Sequence, residues 1–267
     1  MSKRRIYLKP SKPSYAIGKD YRLLLAKMVD MMIADIVPAV LASYDVHEDE
    51  IIQDAKNTAS VISEIINRKI TKWQRYFDGK AMKFSIKFIT AIDNYSTQQI
   101  KDSLKDNVPV DIIKIMGLEL SKEDKAAQLV KEAAIRDNVA LITKIPKDMG
   151  DKIHNIVMTG MGRGHDLSYI SKELAKTTDF SKKRIKLVAR DQLFKANSMI
   201  HNQKMLDLDI TQAIWRHSKG DKVPRPDHLA ADGKTYDIVK GCLIDGEFIQ
   251  PAEKINCTCY NVPFIEF

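Results

Sequence analysis

The chain is poor in the features that would sort it quickly. It has three cysteines in 267 residues, an odd number that does not suggest a disulfide framework. No apolar run reaches the ~18 residues of a membrane span. The best stretch, Leu23 to Tyr44, is broken by Lys27, Asp30 and Asp35. The N-terminus reads Lys3-Arg4-Arg5 but lacks the apolar stretch of a secretory signal, so a reducing cytoplasm is the expected setting and no membrane partner is expected. Aromatic residues make up 7% of the chain, and no heptad pattern lasts long enough for a coiled coil. The remainder, 44% hydrophobic and 29% charged, is ordinary for a globular protein with a sizeable core.

Charge is present but unevenly placed. Of the formal net +8, a net +6 falls in residues 1–30. The first residues combine Lys3, Arg4 and Arg5 with Pro10, Ser11 and Pro13, and residues 1–18 are expected to be an extended, poorly ordered arm. Such an arm suits nucleic-acid phosphates or an acidic protein surface; a solvated terminus is the plainer alternative.

Helical spacing dominates from Lys19 onward. A first helix carries Leu24, Met28, Met31 and Met32, with Pro38 expected to kink or end it. A second runs from Glu48 to Tyr76 on a stripe of isoleucines, and Asp78-Gly79 predicts a break before a third through Ile86, Ile89, Ile92 and Ile100. Pro109 opens an expected irregular linker. Ser121 to Asp124 reads as a helix cap, and Pro146 to Gly160 as another short helix. The run Gly160-Met-Gly162-Arg-Gly164 follows a helix, not a strand, and lacks the Lys-Ser/Thr pair of a phosphate loop. It is therefore read as a joint between helices. Asp166 is the expected cap of the next helix. A longer helix from about Ser181 to Asp207 begins with Lys182, Lys183 and Arg184, a solvated face or a patch for DNA or a partner.

After Asp207 the pattern changes to short strands: Ile210 to His217, Lys234 to Val239, a tight hairpin around Asp245-Gly246, and Cys257 to Phe264. The predicted fold class is α+β, long helices followed by a small antiparallel sheet.

That segment also holds the densest chemistry. In a strand, Cys257 and Cys259 at i and i+2 point to one face. His228 and Cys242 could join them as a structural zinc site, since thiolates and imidazole suit a tetrahedral ion. The favoured alternative is a buried, hydrogen-bonded histidine with cysteines packed as small apolar residues. Arg225, near Asp221, Asp227 and Asp232, is expected to lock a turn through carboxylate pairing, and Trp215 to fill the core. A metal-dependent nuclease would need a second histidine, and none follows His228. A cysteine hydrolase needs an activated, partly exposed thiol. Catalysis is therefore not expected.

The order of motifs resembles one family. Ala189-Arg190-Asp191-Gln192, Trp215, Arg225-Pro226-Asp227-His228, Asp232-Gly233-Lys234, Pro251 and Asn256-Cys257-Thr258-Cys259 look like the phage Mu F-like head-morphogenesis (minor head or minor capsid) proteins. Where family members usually carry arginine between the two cysteines, this chain has Thr258. The resemblance makes Arg190, Trp215, Arg225, Asp232, Gly233 and Asn256 structural motif residues. It implies a head-assembly protein of a tailed double-stranded DNA phage, with a role in DNA packaging or ejection. The implied partners are the portal protein, the major capsid protein or scaffold, and packaged DNA. The implied location is the capsid interior near the portal vertex, with host cytoplasm during assembly. On this reading residues 19–150 form a helical docking region and residues 151–267 the Mu F-like domain. An internal DNA-binding virion protein is the alternative.

Overall fold

Buried positions recur every three or four residues along the first helix, which is how an amphipathic helix finds its core. In this helix, α1 (Tyr15–Val46), they are Tyr21, Leu25, Met28, Met32, Ile36 and Val40. The computed structural model describes residues 4–46, 55–120, 125–163, 167–219 and 224–267. Lys3, the start of the second expected helix, the caps at 121–124 and 166, Gly164, Asp221 and Val223 lie outside the described residues. The other helices are α2 (Ala55–Asn107), α3 (Val110–Met116), α4 (Lys125–Gly162) and α5 (Leu167–Leu206). A short α6 (Pro226–Ala230) follows the first strand of the C-terminal region. The class is α+β.

Several expected breaks are absent. α1 passes through Pro38, α2 through Gly79 and α4 through Pro146. Each has a physical reason. A proline removes the bond to the carbonyl four residues back; for Pro38 that carbonyl belongs to Ala34, an exposed position where water can take over. Pro146 frees the Ile142 carbonyl, and the adjoining turn is tied down by Gln74, whose side chain donates to the next carbonyl, that of Thr143, at 2.8 Å. Gly79 is itself exposed, but Phe77 and Ala81 on either side are fully buried, and their packing outweighs the roughly 1 kcal/mol helix cost of a glycine. The expected linker after Pro109 holds α3, which ends on Gly117 in the left-handed conformation.

The chain divides into two compact units, and neither follows the linear boundary expected at residue 150. One unit takes residues 20–85 and 137–187; the other takes residues 1–19, 86–136 and 188–267. The described residues of the first are almost all helical. Its core includes Met32, Ile62, Ile66, Phe77, Ile142 and Ile153. Asp35 accepts bonds from Lys69 Nζ, Lys72 Nζ and Trp73 Nε1. Gly160 is there for closeness: a Cβ would stand 2.6 Å from Ile170 Cγ1, so it serves helix packing at the joint.

The second unit contains the sheet. β1 (Arg5–Tyr7), β2 (Gln212–Arg216), β3 (Thr235–Asp237) and β6 (Tyr260–Glu266) form one antiparallel sheet in the order β1-β6-β2-β3. β4 (Cys242–Ile244) and β5 (Glu247–Ile249) form a separate hairpin. Its turn places Asp245 at φ 50° and Gly246 at φ 78°, the double positive φ that a two-residue hairpin needs. The basic arm is corrected here: Arg5 pairs with Glu266 and Tyr7 with Phe264 in the β1–β6 register. Behind the sheet, Leu8, Ile100, Leu104, Met205, Ile210, Trp215, Tyr236 and Ile265 share one apolar cluster.

Candidate functional site

The site is assembled from three short pieces of the second unit. β2 supplies Trp215, which has no exposed surface. Arg225 is extended (φ −70°, ψ 125°) and Pro226 opens α6, whose preset φ suits a first helical position. One turn on, α6 presents His228, buried, with its ring edge-on to Trp215 at 5.3 Å and 86°. The third piece is the segment ahead of β6, carrying Cys257 and Cys259. Both are 2% exposed. They precede the strand and do not lie within it, as the expected strand from Cys257 would have required.

His228 Nδ1 lies 3.4 Å from Cys257 Sγ and 3.7 Å from Cys259 Sγ. The three donor atoms are mutually within 4.8 Å. Cys257 is pushed down to about 6, first by the Cys259 thiol, then by the backbone N–H groups of Cys259 and Ala252 and the charge of His228, against its burial. Nearby, His228 Nε2 is 3.9 Å from Asp227 Oδ2.

Cys242 does not join them. It sits in β4 opposite Ile249, outside the ligand group of His228, Cys257 and Cys259. Burial pushes its thiol up, so it behaves as a small apolar core residue. The expected fourth zinc ligand is thereby corrected.

The remaining motif residues shape the entry to the cysteines. Asn256 is held at φ 60° and Ala252 at φ 67°, both left-handed. Asp191, next to the half-buried Arg190 on α5, accepts the Asn256 N–H at 2.6 Å. Arg225 Nη2 donates to the Ile255 carbonyl at 2.9 Å. Among the described residues this backbone contact is the partner found for Arg225, with no ion pair to Asp227 or Asp232; Asp221, the other expected carboxylate, lies outside them. Asp232 Oδ1 instead accepts the His217 N–H at 3.1 Å, with Arg216 Nη1 at 3.7 Å. Gly233, at φ 89°, donates to the Trp215 carbonyl.

The basic candidates are dispersed. Arg4 exchanges backbone bonds with Phe267. Arg5 pairs with Glu266 at 3.0 Å and covers the Phe264 ring. Lys182 and Lys183 are exposed on α5, while Arg184 pairs with Asp148.

A buried polar network went unread in the sequence. Asn261 Nδ2 donates to Asn202 Oδ1 at 2.7 Å and to Tyr236 Oη at 3.2 Å, and its backbone N–H bonds to Ser11 Oγ. Asn197 Nδ2 adds a bond to the Ser11 carbonyl. The one available signal was the spacing of Cys257, Cys259 and Asn261 at steps of two.

Residues 151–262, which run from within α4 through α5 to β6, match the model of one protein family. Its description is Phage Mu protein F like protein. A Haemophilus influenzae (strain ATCC 51907 / DSM 11121 / KW20 / Rd) protein, described as "Uncharacterized protein", is 24% identical over 262 residues, which is 97% of this chain and 55% of the relative. The chain thus spans about half the length of that curated relative. No solved structure matches. No described helix is long and apolar enough to cross a membrane.

Proposed function

We propose that the protein is a minor head protein of a tailed double-stranded DNA phage. It acts in head assembly and resides in the capsid interior near the portal vertex, without catalytic activity. The observation that carries this reading is the Mu F-like segment over residues 151–262, which includes the whole His228–Cys257–Cys259 region. The portal and the major capsid protein or scaffold are the proposed partners.

The DNA-binding alternative draws on the basic groups, of which Lys182 and Lys183 are exposed. Arg5, Lys9 and Arg184 are engaged by Glu266, Asp106 and Asp148, and so are less available to phosphates. Co-purification of the full chain with portal and coat proteins separates the two. The head-assembly reading expects a complex with portal that survives high salt. Binding to DNA alone, with a steep salt dependence and no retained head protein, would replace it with the alternative. Cleavage of double-stranded DNA with Mg²⁺ or Zn²⁺ that depends on His228 would overturn the non-catalytic part.

A further inference from the structure

We propose that His228 Nδ1, Cys257 Sγ and Cys259 Sγ form a Cys₂His site for a zinc-class divalent cation, tying α6 to the segment that enters β6. Three observations converge on it. First, the distances fit: with metal–sulfur and metal–nitrogen bonds of about 2.3 and 2.0–2.1 Å, a tetrahedral ion places its sulfur and nitrogen ligands about 3.6 Å apart. The observed 3.4 and 3.7 Å bracket that edge.

Second, the surroundings suit thiolates and not merely packed thiols. Backbone N–H groups of Cys259 and Ala252 point to Cys257 sulfur, and the Ala252 donor comes from a left-handed residue. Such N–H···S bonds and a carboxylate behind the outer imidazole nitrogen are what support ligands of this kind. Asp227 stands on that outer side, 3.9 Å from Nε2. Third, Cys242 is an internal contrast. It is equally buried in the same apolar cluster and lies outside the ligand group.

The described residues supply three ligands, leaving the fourth coordination position for solvent or another donor. The ion would fix two pieces of chain 29 and 31 residues apart in sequence. The small sheet module gains most from such a clip, because its strands are only three to seven residues long.

The test uses the full chain, purified without chelator or polyhistidine tag. Elemental analysis should find about one zinc per chain. Cobalt titration of the chelated protein should give a sulfur-to-metal charge-transfer band with tetrahedral visible absorption. Cys259→Ser and His228→Gln should each weaken cobalt binding more than tenfold, while Cys242→Ser leaves it unchanged. Folding of each variant is checked by circular dichroism. If a ligand variant fails to fold, the wild-type spectrum and Cys242→Ser decide. Wild-type protein with neither zinc nor the thiolate band overturns the site, as does loss of the band in folded Cys242→Ser.

Discussion

Asp191 Oδ1 accepts the backbone N–H of Asn256 at 2.6 Å, so a carboxylate on α5 fixes the residue that leads into Cys257 and Cys259. Asn256 is left-handed, a conformation that costs most residues energy and asparagine less. The bond therefore holds a strained turn.

Removing that acceptor has a measurable cost. Asp191→Ala should lower unfolding free energy by roughly 2 kcal/mol, the range for a hydrogen bond to a charged group. Asp191→Asn retains an acceptor and should lose less. Asn256→Gly should be tolerated within about 1 kcal/mol, because glycine accepts positive φ freely. Urea unfolding of the three variants checks this; equal losses for Asp191→Ala and Asp191→Asn would contradict the role given to the oxygen.

Asp93 is the second sensitive carboxylate. Its two oxygens meet Lys204 at 2.8 Å and Lys131 at 3.3 Å, and Lys204 is only 10% exposed. Burial pushes the Asp93 carboxyl up, but the bond and charge of Lys204, with Lys131, outweigh it and hold the group below its ordinary value. Asp93→Ala strands the Lys204 ammonium in the interior and should cost roughly 3–5 kcal/mol. Lys131→Met, which leaves the closer pair intact, should cost under about 1 kcal/mol. Chemical denaturation that ranks them in the other order would reject the assignment.

His201 should make acid a destabiliser. It is fully buried beside Ser96, and desolvation, helped by Lys204, pushes it down to about 4 from the usual 6.5. Between those values the unfolded chain binds the proton and the folded one does not. This contribution is present above pH 6.5 and is lost as pH falls toward 4, by up to roughly 3 kcal/mol. Measured stability should fall across that window, and a folded His201→Gln variant should show a shallower fall. Identical pH slopes would remove His201 as the cause.

Gln74 supports the helix where Pro146 interrupts its bonding. Gln74→Met keeps the length of the side chain but removes the donor to the Thr143 carbonyl, at a cost of about 1 kcal/mol. Pro146→Ala restores the donor to the Ile142 carbonyl, a different acceptor from the one Gln74 reaches, so the two effects should come close to adding. A Gln74→Met loss indistinguishable from zero in thermal unfolding would remove this bond as a support of the turn.

The parts of the fold readable in the sequence are those decided within a few residues. Asp245-Gly246 announces a hairpin because the turn demands positive φ at both positions, and the spacings of Met28 with Met32 and of Ile62 with Ile66 announce helices. What escaped was decided by distant packing. Pro38, Gly79 and Pro146 are breakers locally, yet exposure at Ala34, burial of Phe77 and the reach of Gln74 carry the helices through them. The pairing of Arg5 with Glu266 has no local trace, so a strand looked like an arm. At the site, residue types and order were visible, but the separation of Cys242 from Cys257 and Cys259 follows from the β4–β5 register. Arg225 likewise looked made for a carboxylate, and the contact it makes among the described residues is the Ile255 carbonyl.

The β1–β6 ladder also sets a clock on folding. Residues 4–7 leave the ribosome some 261 positions ahead of their partners at 264–267. At ~5–20 residues per second, translation keeps this strand waiting about 13–50 s before its partner exists. During that interval its unpaired backbone is an open edge, available to any neighbouring chain. On a polysome making many copies side by side, residues 4–7 are therefore the place where two nascent chains would meet by mistake.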